Sequence, residues 1–354
     1  MPQIKLPSGI YVGHAEVGDK SGVTVILAPE GAVGGVDVRG CAPGTRETDL
    51  LRAEKTINVC HAVVFTGGSA FGLSALDGVM RYCREKNIGH QVGAVKIPLV
   101  AGAVIFDIGE GLSDVPDAQT GYCAALAAKS LQYDWGQAGA GTGATVGKIL
   151  GSAHCQRGGI GAATVELGGA FVTAITVVNA MGDVIDHKTG KLLRGVHDGA
   201  GNLLGTDQLI LSGRLADMLR GQGSGIREQG SGDVGRDCSP IAPQSVGADG
   251  NPPAPCETIA NPESRTPNPD SPRKGGNTTL SCVITNVKLT KLEVNKLASI
   301  AHDGLAKSIS PVHTDYDGDT VFALSKGDMP FDFTALSVMA VEAVAQSVIS
   351  AVMQ

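Results

Sequence analysis

From residue 221 to residue 276 the chain loses the composition from which a core is built. Gly, Pro, Ser, Asn and charge dominate, as in Asn251-Pro252-Pro253-Ala254-Pro255 and Thr266-Pro267-Asn268-Pro269-Asp270-Ser271-Pro272. So little apolar surface cannot offset the entropy of ordering it, and the stretch is expected to be a solvated linker. A structureless segment of that length inside a compact fold needs a reason. At its far end stands Gly275-Gly276-Asn277-Thr278-Thr279, followed at once by the strand-like Leu280-Ser281-Cys282-Val283-Ile284-Thr285. Cleavage of the chain at this junction would supply the reason.

The chemistry of threonine suits such a cut. Its hydroxyl is a weak nucleophile until a neighbouring base takes the proton, and a free α-amine on the same residue, with an ordinary pKa of ~7.7–8.0, is such a base. Attack by the Thr278 hydroxyl on the Asn277 carbonyl would give an ester, and hydrolysis of the ester would release that amine. Gly275 and Gly276 permit the unusual backbone the attack needs. By themselves the five residues read first as an ordinary loop entering a strand, with Gly-Gly-Asn as turn punctuation.

Length and charge narrow the alternatives. At 354 residues the chain can bury a substantial core, as one large layered domain or two smaller ones. Charged residues are 18%, the net charge is −7, and no block of lysine or arginine occurs, which argues against nucleic acid or an anionic membrane as partner. Fifty glycines and only 4% aromatics imply tight turns and close backbone packing, not a stacking platform for bases. The eight cysteines show no Cys-x-x-Cys pair, so mostly free thiols in a reducing compartment are expected, with no zinc site. Met1-Pro2-Gln3-Ile4-Lys5 lacks a signal-peptide pattern, making the cytoplasm the expected location. Residues 333–353 are almost continuously apolar but carry Glu342, Gln346 and three serines, so a helix buried between protein layers is expected instead of a membrane span.

Along the chain, residues 22–27 and 35–40 have the pattern of short strands separated by glycine turns, and residues 41–50 that of a polar loop. Residues 63–73 predict a strand, a glycine turn and a helix running to about Lys86, with Leu73, Leu76, Val79 and Met80 on one face. The Gly-x-Gly-x-x-Gly spacing of a dinucleotide site is missing there, which leaves tight strand–helix packing. Apolar runs at 97–100 and 103–106 precede a helix expected over 117–131. Residues 138–148 end like a phosphate-binding loop, but Thr142 stands where its first glycine belongs and Ile149 follows Lys148, so ATP is rejected. Lys148 is then a positioned charge near an anionic transition state, or a solvated loop lysine. Residues 170–187 suggest a hairpin turning at Asn179-Ala180-Met181-Gly182-Asp183, in which Asn179 is an oxyanion donor or a plain turn residue. A helix is expected over 207–219. Thr290-Lys291-Leu292-Glu293 has capping-box spacing ahead of a helix with Val294, Leu297, Ala298, Ala301 and Leu305 on one face. In Asp315-Tyr316-Asp317-Gly318-Asp319-Thr320 the sixth position is not glycine, and Lys326 occupies the twelfth, so calcium is rejected. Clustered aspartates suit instead the orientation of a hydroxyl and an ammonium that exchange protons.

These stretches together resemble the DmpA-type aminopeptidase family, which includes the nylon-oligomer hydrolase. The likeness covers nearly all of the chain outside the linker and is most specific at residues 35–50, 66–73, 139–148, 276–286 and 311–323. It implies an α/β fold, an N-terminal-nucleophile (Ntn) hydrolase-like four-layer αββα sandwich. One large domain would be self-cleaved into an α chain, 1–277, and a β chain, 278–354, and assembled into homo-oligomers of αβ units, tetrameric or larger. By this resemblance Thr278 is the nucleophile and Asn277 the last α-chain residue, while Lys148 and Asn179 match the family's active-site lysine and oxyanion asparagine. Asp317 and Asp319 match the acidic pair of the nylon hydrolase, where DmpA-like members have a serine and a glutamate. Phe106 departs from the pattern, standing where both carry an active-site tyrosine.

The expected activity is an autoprocessing threonine amidohydrolase acting on small peptides or amides, aminopeptidase-like, with no cofactor and no metal. Hydrolysis of 6-aminohexanoate oligomers by the same mechanism is the alternative. A second class of function is an unprocessed binding or scaffold protein on the same fold.

Overall fold

The computed structural model describes residues 4–108, 114–130, 134–215, 218 and 276–354, so the expected linker, apart from Gly276, lies outside the described residues. The frame is a nine-stranded sheet with β2 (Ser21–Val38) at its centre. The two candidate strands at 22–27 and 35–40 are one strand, and its pairing shifts between Leu27 and Ala32, where the ladder to the next strand is interrupted. Such an irregularity bends a strand, and β2 consequently serves two layers. Its first half pairs with β1 (Tyr11–Val17) and with β3 (Val59–Thr66), which lies parallel to β4 (Val100–Val104). Its second half pairs with the last strand, β9 (Thr320–Met329), from Val33↔Ser325 to Val38↔Thr320. Beyond β9 come β8 (Thr278–Val287), β6 (Ala170–Asn179) and β5 (Gly159–Leu167).

Three apolar cores define the layers. Ile26, Val63, Phe65, Ile105, Ile175, Leu280, Ile284 and Phe322 fill the space between the two halves of the sheet. Val23, Val25 and Val64 pack under α1 (Ala75–Glu85) and α2 (Ala118–Leu126). Val172, Ala174, Val283, Val321 and Ala323 pack under α3 (Lys291–Ser308) and α4 (Phe333–Val352). Helices, sheet, sheet, helices: the order is the αββα sandwich, in one domain.

Local sequence explains each helix. α1 buries Leu76 and Val79, with Leu73 and Met80 half-buried beside them. α2 starts at an Asp117 capping box and stops at Leu126, shorter than expected. α3 starts at the Thr290/Glu293 capping box, and Val294, Leu297, Ala298, Ala301 and Leu305 are all buried. α4 is apolar and long enough to cross a membrane, yet it packs on β5, β6 and α3, where a helix apolar on most sides belongs.

Other expectations are corrected. The hairpin read across 170–187 does not form. Both edges of β6 are taken, by β5 and by β8, so β7 (Asp183–Ile185) turns away to pair with Leu192–Arg194 and Ile309–Ser310. Residues 41–50 contain a short strand, Thr45–Arg46, paired to β4, and the helical turn Thr48–Leu51. The two apolar runs at 97–100 and 103–106 are not separate strands: β4 (Val100–Val104) joins the end of the first to the start of the second, and Ile97 ends the strand Val95–Ile97 of an exposed hairpin with His90–Val92. The helix expected over 207–219 is interrupted: Thr206–Leu211 is helical, the chain turns at Ser212-Gly213, and residues 214, 215 and 218 are helical again. Cys41, Cys60, Cys83, Cys155 and Cys282 are free thiols, as expected for most, while Cys123 is disulfide-bonded.

Candidate active site

The site forms where β6, β8 and β9 meet at one edge of the sandwich. β8 begins at Thr278, opposite the last residue of β6, Asn179, in an antiparallel register. β9 begins at Thr320, parallel to β8, immediately after the acidic loop. The chain therefore brings Thr278, Asn179, Asp317 and Asp319 together through backbone pairing alone.

The pairing continues one residue upstream. Asn277 makes a parallel bridge with Asp317: its N–H donates to the Tyr316 carbonyl at 2.9 Å, and its carbonyl accepts the Gly318 N–H at 2.8 Å. The same carbonyl accepts the Thr278 hydroxyl at 2.6 Å. The hydroxyl that would attack and a backbone donor for the resulting oxyanion thus converge on one carbonyl, with Thr278 only 4% exposed. A Cβ on Gly318 would lie 2.9 Å from the Thr278 Oγ and 2.5 Å from the Ala42 carbonyl, so glycine is required by close approach. Gly40, at φ 89, lies under the same loop, where a Cβ would meet the Asp317 carbonyl at 2.3 Å.

The two aspartates differ in how they are held. Asp319 accepts the Thr279 N–H at 2.6 Å on Oδ1 and His313 Nδ1 at 2.7 Å on Oδ2. Asp317 accepts the Thr314 hydroxyl at 2.7 Å and its N–H at 2.9 Å, both on Oδ2, and its Oδ1 is buried without a partner. Burial first, and then the Asp319 charge, push the Asp317 carboxyl above its usual range. Asp317 Oδ1 is thus an open acceptor on the residue bridged to Asn277.

Lys148 is not a solvated loop lysine. Its Nζ donates to Asn179 Oδ1 at 2.5 Å and reaches the Asn179 carbonyl at 3.3 Å. Asn179 Oδ1 also accepts the Thr145 N–H at 3.1 Å, and Nδ2 donates to the Phe106 carbonyl at 3.0 Å. In the intact chain the Asn179 amide is therefore engaged on both sides, and the Asn277 carbonyl is served by Gly318. Phe106, Asp107, Lys148, Cys155 and Gly276 line a cleft on the upstream side of the Asn277–Thr278 bond. Phe106 Cβ comes within 3.5 Å of where a Cβ on Gly276 would lie. Asp107, which accepts the Gly68 N–H at 2.7 Å and the Ser21 hydroxyl at 2.8 Å, ties this wall to the Gly67-Gly68 turn and is held above its usual range by burial. That turn packs tightly, as expected.

All seven anticipated positions are contiguous. Residue type and spacing alone do not assign the Gly318 N–H, His313 or Asp107. A backbone donor has no side-chain signature, although a glycine wedged between two aspartates was a signal. No group of His, Cys, Asp and Glu among the described residues has the arrangement of a metal site.

Comparison with known proteins agrees with this architecture. The family model described as Peptidase family S58 matches residues 7–354. An uncharacterized aminopeptidase of Mycobacterium leprae is 35% identical, over 93% of this chain and 79% of its own length. A 6-aminohexanoate-oligomer endohydrolase of Paenarthrobacter ureafaciens is 30% identical, over 97% of this chain and 84% of its own. Among solved structures, a Burkholderia β-aminopeptidase superposes with a TM-score of 0.60 at 17% identity, covering 99% of this chain and 88% of that one. The l-aminopeptidase d-Ala-esterase/amidase of Ochrobactrum anthropi, described as a variant of the Ntn hydrolase fold, gives 0.60 at 15% identity with the same coverage. The acid loop and the strand that starts at Thr278 thus sit in a known frame: the chain belongs to peptidase family S58 and has the Ntn-hydrolase fold.

Proposed function

We propose that the chain cuts itself between Asn277 and Thr278 and then hydrolyses amide bonds of small peptides or amides with Thr278 as nucleophile. The observation that carries this reading is the buried Asn277 carbonyl, which receives the Thr278 hydroxyl at 2.6 Å and the Gly318 N–H at 2.8 Å. In the first reaction Thr278 Oγ bonds to the Asn277 carbonyl carbon and the C–N bond breaks. The hydroxyl proton ends on the departing nitrogen of Thr278. Water then hydrolyses the ester, leaving an Asn277 carboxylate and a free Thr278 amine.

In the mature enzyme that amine is the base. It takes the Oγ proton as Thr278 attacks the substrate carbonyl, and gives it to the leaving amine; water releases the acyl group. Asp317 Oδ1 holds the amine, Asp319 fixes the start of β8, and Lys148 with Asn179 stabilises the developing negative charge. The cleft beside Phe106 and Gly276 receives the acyl side of the substrate, because it already holds the acyl side of the chain's own scissile bond.

A second substrate reading, hydrolysis of 6-aminohexanoate oligomers, is favoured by the acidic pair Asp317/Asp319 and by the Paenarthrobacter relative's coverage of nearly the whole chain. A panel of amino-acid amides, β-peptides and aminohexanoate oligomers separates the two. We also infer assembly into homo-oligomers, supported by the exposed apolar side chains of Phe71, Val92, Val95 and Val338 and tested by mass in solution. For the chemistry itself, Thr278→Ala is expected to remain folded, uncut and inactive, and Thr278→Ser to retain processing. Amide hydrolysis at the wild-type rate by the alanine variant would place the nucleophile elsewhere.

A further inference from the structure

We propose that His313 is a positioning residue: it fixes the Asp319 carboxylate and, through it, holds the first residues of β8 in place for both reactions of Thr278. The proposal rests on Thr278 being the nucleophile. Asp319 is buried, and both of its oxygens are engaged. Oδ1 accepts the Thr279 N–H at 2.6 Å, one residue from the nucleophile. Oδ2 accepts two donors from one residue, His313 Nδ1 at 2.7 Å and the His313 N–H at 3.2 Å. Asp319 is thus a link with Thr279 on one side and His313 on the other.

The backbone of His313 shows that this link is enforced. Its φ of 56 lies in the left-handed region, uncommon for a residue with a Cβ and sustained only where surrounding contacts over-determine it. The double donation to Asp319 is one such contact, and His302 of α3 supplies another. The two rings meet edge to face, with centroids 4.9 Å apart and planes at 69°. His302 Nε2 is bonded to the Asp37 carbonyl at 3.1 Å, and the Asp37 carboxylate lies 3.8 Å away and is itself bonded to Arg39 at 3.0 Å. A carbonyl only accepts, so the His302 proton is on Nε2; a carboxylate only accepts, so His313 carries one on Nδ1. His302 Nδ1 is then bare, and both it and His313 Nε2 are buried without a partner. Burial lowers the His302 pKa to about 4, so that ring is neutral at pH 7. The groups that bear on His313 are therefore Asp319 from its own loop, neutral His302 from α3, and behind it Asp37 of β2 with Arg39 just beyond that strand's end.

A purely structural His313 would need only a ring against His302, whereas positioning needs the Nδ1 donor. Asparagine separates these, because its amide nitrogen falls where Nδ1 does and it tolerates the left-handed backbone. Leucine fills space and donates nothing. In the full-length chain, His313→Leu is expected to slow self-cleavage and to lower kcat for an amino-acid p-nitroanilide by about ten- to a hundredfold, leaving KM within about twofold. His313→Asn should stay within about threefold of wild type on both. If His313→Leu does not fold, His313→Gln, whose amide reaches the Nε2 position instead, carries the same expectation. Wild-type processing in His313→Leu, equal loss in the Asn and Leu variants, or rates that simply follow melting temperature would overturn the proposal. Thr278→Ala measured alongside distinguishes the two failures: an active alanine variant removes the nucleophile, whereas a dead one beside a normal His313→Leu removes only His313.

Discussion

A hydroxyl and a backbone N–H that share the Asn277 carbonyl make the geometry of Gly318 a kinetic quantity. Gly318→Ala keeps the N–H but puts a methyl 2.9 Å from Thr278 Oγ and 2.5 Å from the Ala42 carbonyl, so one of them must move. Misplacement of a reacting group by about 1 Å can cost about 10²-fold. Self-cleavage is therefore expected to slow by about that factor in a folded chain, followed as the decay of the intact band on a denaturing gel; an unchanged half-time would free the carbonyl from Gly318. Asp317 yields a prediction with a definite sign. Its carboxyl is raised in the folded chain, so between the ordinary value and the raised one the native state binds more protons than the unfolded state. Stability then falls as pH rises through that window, and the full cost is present at neutral pH. In the uncut Thr278→Ala background, adding Asp317→Asn should raise the melting temperature at pH 7 and lose that advantage below about pH 3.5, under the ordinary Asp value; an equal effect at both pH values contradicts the burial argument. At this scale much was legible. Asn277, Thr278, Asp317 and Asp319 lie in two short contiguous stretches whose chemistry can be argued from residue type, while Lys148 and Asn179 needed the family resemblance. Gly318 acts through its main chain and His313 through another residue, and neither kind of role is written in a side chain's identity.

Among the elements, β8, which begins at Thr278, and α3 were the most readable. β8 is apolar because it is central, with β6 and β9 on its two sides. α3 declares itself through its capping box and apolar face, and its close crossing with α4 depends on Gly304, where a Cβ would lie 2.5 Å from the Val341 carbonyl. Gly304→Ala is accordingly expected to destabilise the protein by about 1–3 kcal/mol as the helices separate, despite the better helix propensity of alanine. Denaturant unfolding measures it, and a stabilised variant would show that the crossing is looser than described. What the sequence could not reveal was partner choice. The alternation of residues 170–187 marks two strands correctly, but nothing local says that β6 takes β5 and β8 as neighbours and leaves β7 to a separate sheet. Likewise the uninterrupted run of β2 across both layers is a long-range fact, hidden by glycines that look like turns.

For the whole molecule, the proposed cut falls at the start of a strand buried in the middle of a sheet, not at a boundary between parts. Everything after Thr278 supplies β8, β9, α3 and α4, and everything before it supplies β1 to β7, α1 and α2. β8 is paired to β6 from Asn179↔Thr278 to Val172↔Thr285, and β9 to β2, so the two fragments share both the sheet and its cores. They should stay associated after cleavage and part only on denaturation. The most direct measurement is the intact mass of purified protein under denaturing conditions, with N-terminal sequencing, set against its elution volume under native conditions. The account predicts a fragment that begins Thr278-Thr279-Leu280-Ser281 and ends at Gln354, absent from Thr278→Ala, and co-eluting natively with the fragment that ends at Asn277. An active preparation consisting of one uncut chain would contradict it.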